Sequence, residues 1–400
     1  MPLLNLAYFQ MSLTPDTSCL FTQDIHSALK ASVVVPVRNE SEAIYRTLLA
    51  LYNQFDADGF RMNQNSYEVL VLINNCTDNT LLVCESFKQN YPDFNLLIEC
   101  IDFPTEQAHV GTARRLLMDA ACRRLMAVRG EEGIIISTDG DSEVDPLWLY
   151  HTLQEVETGA DVVGGRILSF DVPQGAKLHH LRNVTYRYLK ARLESEIDPC
   201  RENPWPRHFQ CYGPSLAVTC RMYEIAGRIP AIPYLEDEEF RKALKRVDAK
   251  IRNSPKVKVQ TSSRLDGRVA FGFSVQLQRW GEMDSREEEQ VESLMTLIYK
   301  YQLKHRLRAC WQSQPKVLPG LMFTQSNLDE QALRNLWEKH IYFESFWESL
   351  EALLDDGRGE IISVQPISVA IFSLRNYFCE RQKSLLKAVS EQAPSKIIAV

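Results

Sequence analysis

The residues best suited to chemistry lie in one short stretch, Gly133 to Trp148, where the apolar run Gly133-Ile134-Ile135-Ile136-Ser137-Thr138 stops at Asp139-Gly140-Asp141. On extended backbone the two carboxylates point in alternate directions, but the glycine between them lets the chain bend until both face one cation. Hard oxygen ligands of this kind suit Mg2+ or Mn2+, and such an ion suits a substrate that carries phosphates. The same residues admit a plainer reading as an acidic turn ahead of a helix, because Asp145-Pro146 has the form of an N-cap followed by a helix-start proline. A second group of acids, Glu236-Asp237-Glu238-Glu239, opens a segment that turns basic toward Lys250, a charge order that suits the helix dipole without any catalysis. Farther on, Thr261-Ser262-Ser263-Arg264 opens a glycine-containing loop that ends in Gln276-Leu277-Gln278-Arg279-Trp280. An arginine and a tryptophan in a mobile loop can grip a diphosphate and cover a sugar; the alternative is a surface helix with one aromatic foot. His151, His179, His180 and His208 lack a paired-ligand spacing and are read as packing or surface groups, with His208 the one a metal could recruit.

These residues need a scaffold, and the chain supplies one by alternation. Ser32–Val35 is a β-branched run ended by Pro36, and Glu40 to Asn53 then carries apolar groups at helical spacing. Tyr67 to Ile73 repeats the strand, and Asn74-Asn75-Cys76-Thr77-Asp78-Asn79-Thr80 leads into a second helix. A third strand is read at Leu97 to Ile101, a long helix at Val110 to Val128 and a fourth strand at Ile134 to Thr138. An apolar run bounded by a breaker is a strand buried in a parallel sheet, and ligands of open α/β sheets bind beyond the carboxyl ends of the strands. The expectation is a doubly wound α/β core with predominantly parallel pairing. There is no Gly-x-Gly-x-x-Gly after the first strand and no Gly-x-x-x-x-Gly-Lys-Ser/Thr anywhere, so dehydrogenase and P-loop readings lose their anchors.

After Pro146 a helix and a glycine-ended strand, Ala160 to Gly165, follow, and then a helix over 177–196 rich in Tyr and Arg, including Tyr186, Arg187, Tyr188 and Arg192. Such residues contact an acceptor or simply cover surface with their apolar stems. From about 281 the texture becomes helical, with segments near 290–309, from Asn327-Leu328-Asp329-Glu330 to about Leu354, and from Pro366 to about Val389. The division is therefore 1–30 as an N-terminal extension without a firm period, 31–280 as the main domain and 281–400 as a helical C-terminal region. Those last helices offer a surface to cover the acceptor side or to pair two subunits, and their chemistry does not choose.

Composition narrows the class further. A net charge of -7, from 45 Lys+Arg against 52 Asp+Glu, gives no reason to expect nucleic acid. Ten cysteines without a Cys-x-x-Cys pair read as reduced, mostly core thiols. No uninterrupted apolar stretch reaches the roughly 18 residues of a transmembrane segment. The expected place is cytoplasmic, with contact at a membrane surface left open.

With these landmarks set, residues 31 to 280 resemble the family 2 nucleotide-sugar glycosyltransferases, enzymes of the GT-A fold. Pro36-Val37-Arg38-Asn39-Glu40 is similar to that family's first-turn Pro-x-x-Asn-Glu, which places Glu40 near the nucleoside, with Pro36 and Arg38 in the same turn. Asn75 and Asp78-Asn79-Thr80 resemble its second nucleotide-contact turn, although Asn74-Asn75 replaces the usual aspartate pair and the turn is one residue shorter. Gly111 and Arg114 sit where the family has a Gly-Lys/Arg element near the nucleotide, and Asp139-Gly140-Asp141 is similar to its Asp-x-Asp metal motif. Glu236-Asp237 resembles the Glu-Asp pair beneath the acceptor, with Asp237 in the place of the catalytic base. Gln276, Arg279 and Trp280 match the Gln-x-x-Arg-Trp of the family's processive polysaccharide synthases, whose transmembrane helices are not found in this chain.

The resemblance implies a GT-A type nucleotide-diphospho-sugar transferase fold with a largely parallel central sheet and a C-terminal helical addition. It implies transfer of a sugar from a nucleotide-diphosphate sugar, uridine the leading base, to a hydroxyl acceptor. Asp141 would hold Mg2+ or Mn2+, with Asp139 contributing directly or through water and ribose, and Arg279, Arg264 or Arg268 would bond to the phosphates. Asp237 as base gives inversion; retention follows if the leaving phosphate takes the proton. Two rivals remain: a sugar-1-phosphate nucleotidyltransferase, which usually needs a glycine- and base-rich loop after the first strand, and a non-catalytic nucleotide-sugar binding or scaffold protein.

Overall fold

The computed structural model describes residues 20–264, 272–313, 330–354 and 363–392. They fall into two compact units, one built from residues up to Phe170 with Cys211–Leu244 and Lys256–Ser262, the other from Asp171–Gln210, Lys245–Pro255 and residues from Ser263 onward. In chain order the main elements are β1 (Ala31–Val37), α1 (Ile44–Tyr52), β2 (Tyr67–Asn74), α2 (Thr80–Asn90), β3 (Leu96–Ile101), α3 (Val110–Val128), β4 (Ile134–Ser137), β5 (Ser142–Val144), α4 (Trp148–Glu157), β6 (Val162–Ser169) and α5 (Gln174–Ile197). There follow β7 (Leu216–Thr219), α6 (Cys220–Ile225), α7 (Glu236–Arg246), β8 (Ile251–Thr261), α8 (Phe273–Glu282), β9 (Gln290–Glu292), α9 (Leu294–Gln312), α10 (Glu330–Lys339), α11 (Phe343–Leu353), β10 (Val364–Pro366) and α12 (Ile367–Gln392).

In the first unit every residue of β1 and β2 is buried, as continuous apolar strands covered on both faces must be. β1 pairs in parallel with β2 on one side and with β4 on the other, and β2 pairs in parallel with β3. The later strands are antiparallel additions: β7 on β4, β6 on β7, and β5 on the end of β8, giving the order β3-β2-β1-β4-β7-β6-β8-β5. The α/β architecture with a parallel heart and a C-terminal helical extension is the one expected. α1 buries Ile44, Thr47, Leu48 and Leu51, a stripe at helical spacing, into the core that also holds Val33, Val35, Val69, Val71 and Trp148.

Two successive βα turns are built alike. Asn39, just after β1, and Asn75, just after β2, have φ of 51 and 47, in the left-handed region that asparagine tolerates better than other side chains do. Their turns are laced together, with Thr77 N–H donating to Asn39 Oδ1 and Asn39 N–H to Cys76 Sγ. Beneath the sheet a buried ion pair joins α3 to β2: Arg124 donates to both oxygens of Glu68 and to the carbonyls of Phe21 and Gln23, while Ser32 Oγ donates to Glu68.

The second unit is mainly helical. Tyr186 and Leu193 of α5 pack with Leu297 and Tyr301 of α9 and with Ile371, Leu374 and Phe378 of α12, and β9 and β10 form a short antiparallel pair. Two expectations change here. The segment 327–354, read as one helix, is described from Glu330 onward and is two, α10 and α11, because Asp248 carboxylate oxygens accept the N–H groups of Phe343 and Glu344 and start a new helix there. The end of the expected mobile loop is also helical: Gln276 to Trp280 lie in α8, the alternative of a helix with an aromatic foot. His208 has both ring nitrogens engaged, Nδ1 accepting from Gln210 N–H and Nε2 facing the Ser254 carbonyl, so it is held by the fold. Every cysteine among the described residues is a free thiol. No helix among them is long and apolar enough to cross a membrane.

Candidate functional site

The site is assembled in the first unit from the carboxyl ends of β1, β2 and β4 and from the start of α7. At the first turn, Arg38 Nη1 donates to the Ala108 carbonyl, tying that turn to the segment ahead of α3. Glu40 N–H donates to Thr80 Oγ1 and Ser41 N–H to Asp78 Oδ2, while Asp78 Oδ1 accepts from Thr80 N–H and its hydroxyl. Burial would raise the Asp78 carboxyl, but these hydrogen bonds outweigh it and hold it down at about 2. Asn75 places its amide on the Phe103 backbone, donating to the carbonyl at 2.9 Å and accepting from N–H at 3.1 Å. Asp78 and Asn75 thus hold turns in place, and Pro36 is buried within β1.

The Asp139-Gly140-Asp141 turn sits against the first turn. A Cβ on Gly140 would meet Val37 and Glu40 Cγ at 3.2 and 3.3 Å, and Thr47 Oγ1 donates to the Gly140 carbonyl. The turn is thus clamped at its middle, with one acid on either side. Asp139 keeps 29% of its side chain exposed and Asp141 is half-buried.

α3 brings in the cation. Its start is packed backbone to backbone: a Cβ on Gly111 would lie 2.8 Å from Ile232 N and closer still to Ile232 O, and Arg115 Nη1 donates to the Ile229 carbonyl. That contact docks the segment leading to α7. The next turn of α3 carries Arg114, whose side chain is only 4% exposed. Its Nη1 donates to Ser137 Oγ at 2.8 Å, its Nη2 donates to Asp139 Oδ1 at 2.7 Å, and its Nε lies 3.1 Å from Glu236 Oε1 without the alignment of a hydrogen bond. Asp237 completes the group, its Oδ2 accepting from Gly213 N–H and its Oδ1 from Glu238 N–H, both at 2.8 Å. Leu235, just before the pair, has φ of 59, a strained value for a branched side chain and one that sets the entry into α7.

The electrostatics follow from burial. Desolvation opposes the Arg114 charge, but Asp139, Glu236 and Asp237 more than offset it and its pKa lies above the ordinary value. Glu236 goes the other way: burial lifts it, Arg114 pulls it down, Asp237 lifts it again, and it rests at about 7. Burial, helped by the neighbouring Asp237 and Asp139 charges, outweighs the guanidinium. Three acids around one guanidinium, with Asp141 in the same turn, leave the donor set rich in hard oxygen and short of positive charge, which fits a divalent cation at Asp139 and Asp141. Among the described residues no three His, Cys, Asp or Glu side chains are gathered to hold a metal alone, so waters or substrate oxygens would complete its shell.

The remaining candidates are carried by the second unit. Trp280 is 3% exposed, packed with Ala176 and Leu277, and its Nε1 donates to Glu289 Oε1 at 3.1 Å. Arg279 and Arg264 are exposed, Gln276 is half-buried, and Arg268 lies outside the described residues. Sequence reasoning missed Ser137 and Gly213 as partners in the site, since nothing local shows which carboxylate the Gly213 N–H would meet.

Residues 32–205 match the model of Glycosyl transferase family 2. Over that stretch, less than half of its length, the chain is similar to the family 2 glycosyltransferases. The chain is 30% identical over 145 residues to the Glycosyltransferase AglE of Haloferax volcanii, a match that covers 36% of this chain and 41% of that protein. It is 39% identical over 64 residues to the Uncharacterized glycosyltransferase YfnE of Bacillus subtilis, covering 16% of this chain and 14% of that one. The chain therefore spans less than half the length of either curated relative. Among solved structures it is similar to S. aureus TarS 1-349 in complex with UDP, at 17% identity and a TM-score of 0.41, over 72% of this chain and 73% of that one.

Proposed function

We propose that this protein transfers a sugar from a nucleoside-diphosphate sugar, uridine the leading base, to a hydroxyl-bearing acceptor, with inversion at the anomeric carbon. One observation carries the reading: Arg114 joins the Asp139 turn to the Glu236-Asp237 helix start, so an acid turn suited to a cation-bound diphosphate and a carboxylate suited to take a proton share one site. Asp237 takes the proton of the acceptor hydroxyl while that oxygen bonds to the anomeric carbon and the bond from that carbon to the diphosphate oxygen breaks. Both Asp237 oxygens are already oriented by backbone N–H groups, which leaves a free lone pair on each without letting the carboxylate rotate. Glu236, pushed toward its neutral form by burial, spares the site one negative charge where the proton is collected.

Asp139 and Asp141 would hold the divalent ion. Such an ion, when bound, neutralises charge on a departing diphosphate. The chain's own part is to hold the backbone between those two residues against the first turn through Gly140 and Thr47.

The test is isothermal titration of the protein with UDP, GDP and dTDP, each with and without Mn2+, beside Asp141→Ala. Manganese-dependent binding of one nucleotide, lost in the variant while the fold persists, is expected. A well-folded protein that binds none of the three would overturn the reading, and release of pyrophosphate from a sugar phosphate and a nucleoside triphosphate would favour a nucleotidyltransferase instead.

A further inference from the structure

We infer that Arg114 is a positioning residue that sets the metal-side acid and the base-side helix relative to each other, and is not an arm that grips the nucleotide. The inference rests on the transferase reading above and gives this arginine a different part from the one its place in the sequence suggests. A phosphate-gripping arginine needs N–H groups facing a ligand, and this side chain is 4% exposed, with its two terminal nitrogens already donating to Ser137 and Asp139. The guanidinium meets three pieces of chain that are far apart in sequence. It touches the end of β4 through Ser137 and Asp139, the first residue of α7 through Glu236, and the turn at Gly213.

The last contact is steric and is the most telling. A Cβ on Gly213 would lie 2.7 Å from Arg114 Cζ and 2.8 Å from Nη2, and nearer still to Nη1. Glycine is therefore what leaves room for the guanidinium, and the same residue's N–H donates to Asp237 Oδ2. One planar group thus fixes Asp139 by a charge-assisted bond, sets its Nε 3.1 Å from Glu236 Oε1, and bears on the turn that orients Asp237. A lysine supplies the charge from a single point and cannot reach these directions together.

The experiment compares the wild-type chain with Arg114→Gln, Arg114→Lys, Gly213→Ala and the double variant Arg114→Gln/Gly213→Ala, measuring kcat at saturating donor and Mn2+, well below each variant's unfolding midpoint. Arg114→Gln should lower kcat by about tenfold to a hundredfold, the range for losing a buried hydrogen bond to a charged group. Arg114→Lys should recover part of the loss. Gly213→Ala keeps the charge but evicts the guanidinium, so it should reproduce the Arg114→Gln defect, and the double variant should be no worse than either single one. Folded variants with unchanged kcat, or single defects that multiply in the double variant, would overturn the inference while leaving the transferase reading intact. A wild-type chain that neither binds nucleotide nor turns over would bring down both, and is recognised because it fails before any variant is compared.

Discussion

Replacing Gly111 by alanine tests whether the start of α3 positions the acceptor side of the site. The added Cβ would lie 2.9 Å from the Ile232 carbonyl carbon and closer to its oxygen, and both obstacles are backbone, which no rotamer change can remove. Opening that carbon–carbon approach to about 3.5 Å takes roughly 0.6 Å, and the nearer oxygen brings the movement to the order of 1 Å. Ile232 is four residues before Glu236, so the displacement passes into the start of α7. Overpacking of this kind costs about 1–3 kcal/mol, and at a few degrees per kcal/mol for a domain of this size the midpoint should fall by about 3–9 °C. A misplacement of catalytic groups by about 1 Å is worth on the order of a hundredfold in rate. Thermal unfolding by circular dichroism and sugar transfer at saturating substrate would be measured on the same preparation. A Gly111→Ala protein with wild-type midpoint and wild-type kcat would refute the claim that this contact holds α7 in place.

Three further outcomes are expected. Glu344 of α11 is held down to about 2, burial being outweighed by Lys304, Lys245 and Arg308, so its contribution is present above its ordinary 4.5 and is lost as pH falls from there toward 2. The advantage of wild type over Glu344→Gln, on the order of 3 kcal/mol near neutral pH, should shrink in urea unfolding as pH drops below about 4.5; a gap independent of pH would contradict it. Arg124→Met should destabilise by about 3–5 kcal/mol because it leaves Glu68 buried and unpaired, while Arg124→Met/Glu68→Leu should regain most of that loss, and calorimetric midpoints that simply add would argue against the pair. Trp280→Ala should cost about 3–5 kcal/mol in unfolding experiments through the cavity it leaves, with donor KM unchanged in the folded protein; a raised KM at unchanged stability would return Trp280 to the substrate.

Much of the first unit was legible because its strands and helices obey local periods. β1, β2 and β4 are short apolar runs, and α1 and α3 carry stripes that only a helix gathers on one face. Asp139 and Glu236-Asp237 stood out as acids at element ends, and the structure gathers them around Arg114. Arg114 was visible as a residue but its part was not, since Asp139 and Glu236 lie 25 and 122 positions away and no spacing rule connects them. The same limit explains α11, whose start is fixed by Asp248 from 95 residues upstream. For Gln276 to Trp280 the glycines at 267 and 272 suggested a loop, but the apolar pair Leu277 and Trp280, three apart, is what buries the face of α8 against Ala176.

The connection from β4 to β5 has a geometric consequence. Residues 138–141 join two strands that the sheet order β4-β7-β6-β8-β5 places four positions apart. Four spacings in a flat sheet come to about 19 Å, whereas the five Cα steps from Ser137 to Ser142 reach about 17 Å at full stretch. A flat ladder is therefore excluded: the sheet curves enough for the short link to reach from β4 to its edge strand, and β5 packs on α1. The two acids of the Asp139-Gly140-Asp141 turn lie in that taut link, which has no slack to spare. One residue added between Thr138 and Ser142 would slacken the link and shift the carboxylates while every strand stayed paired.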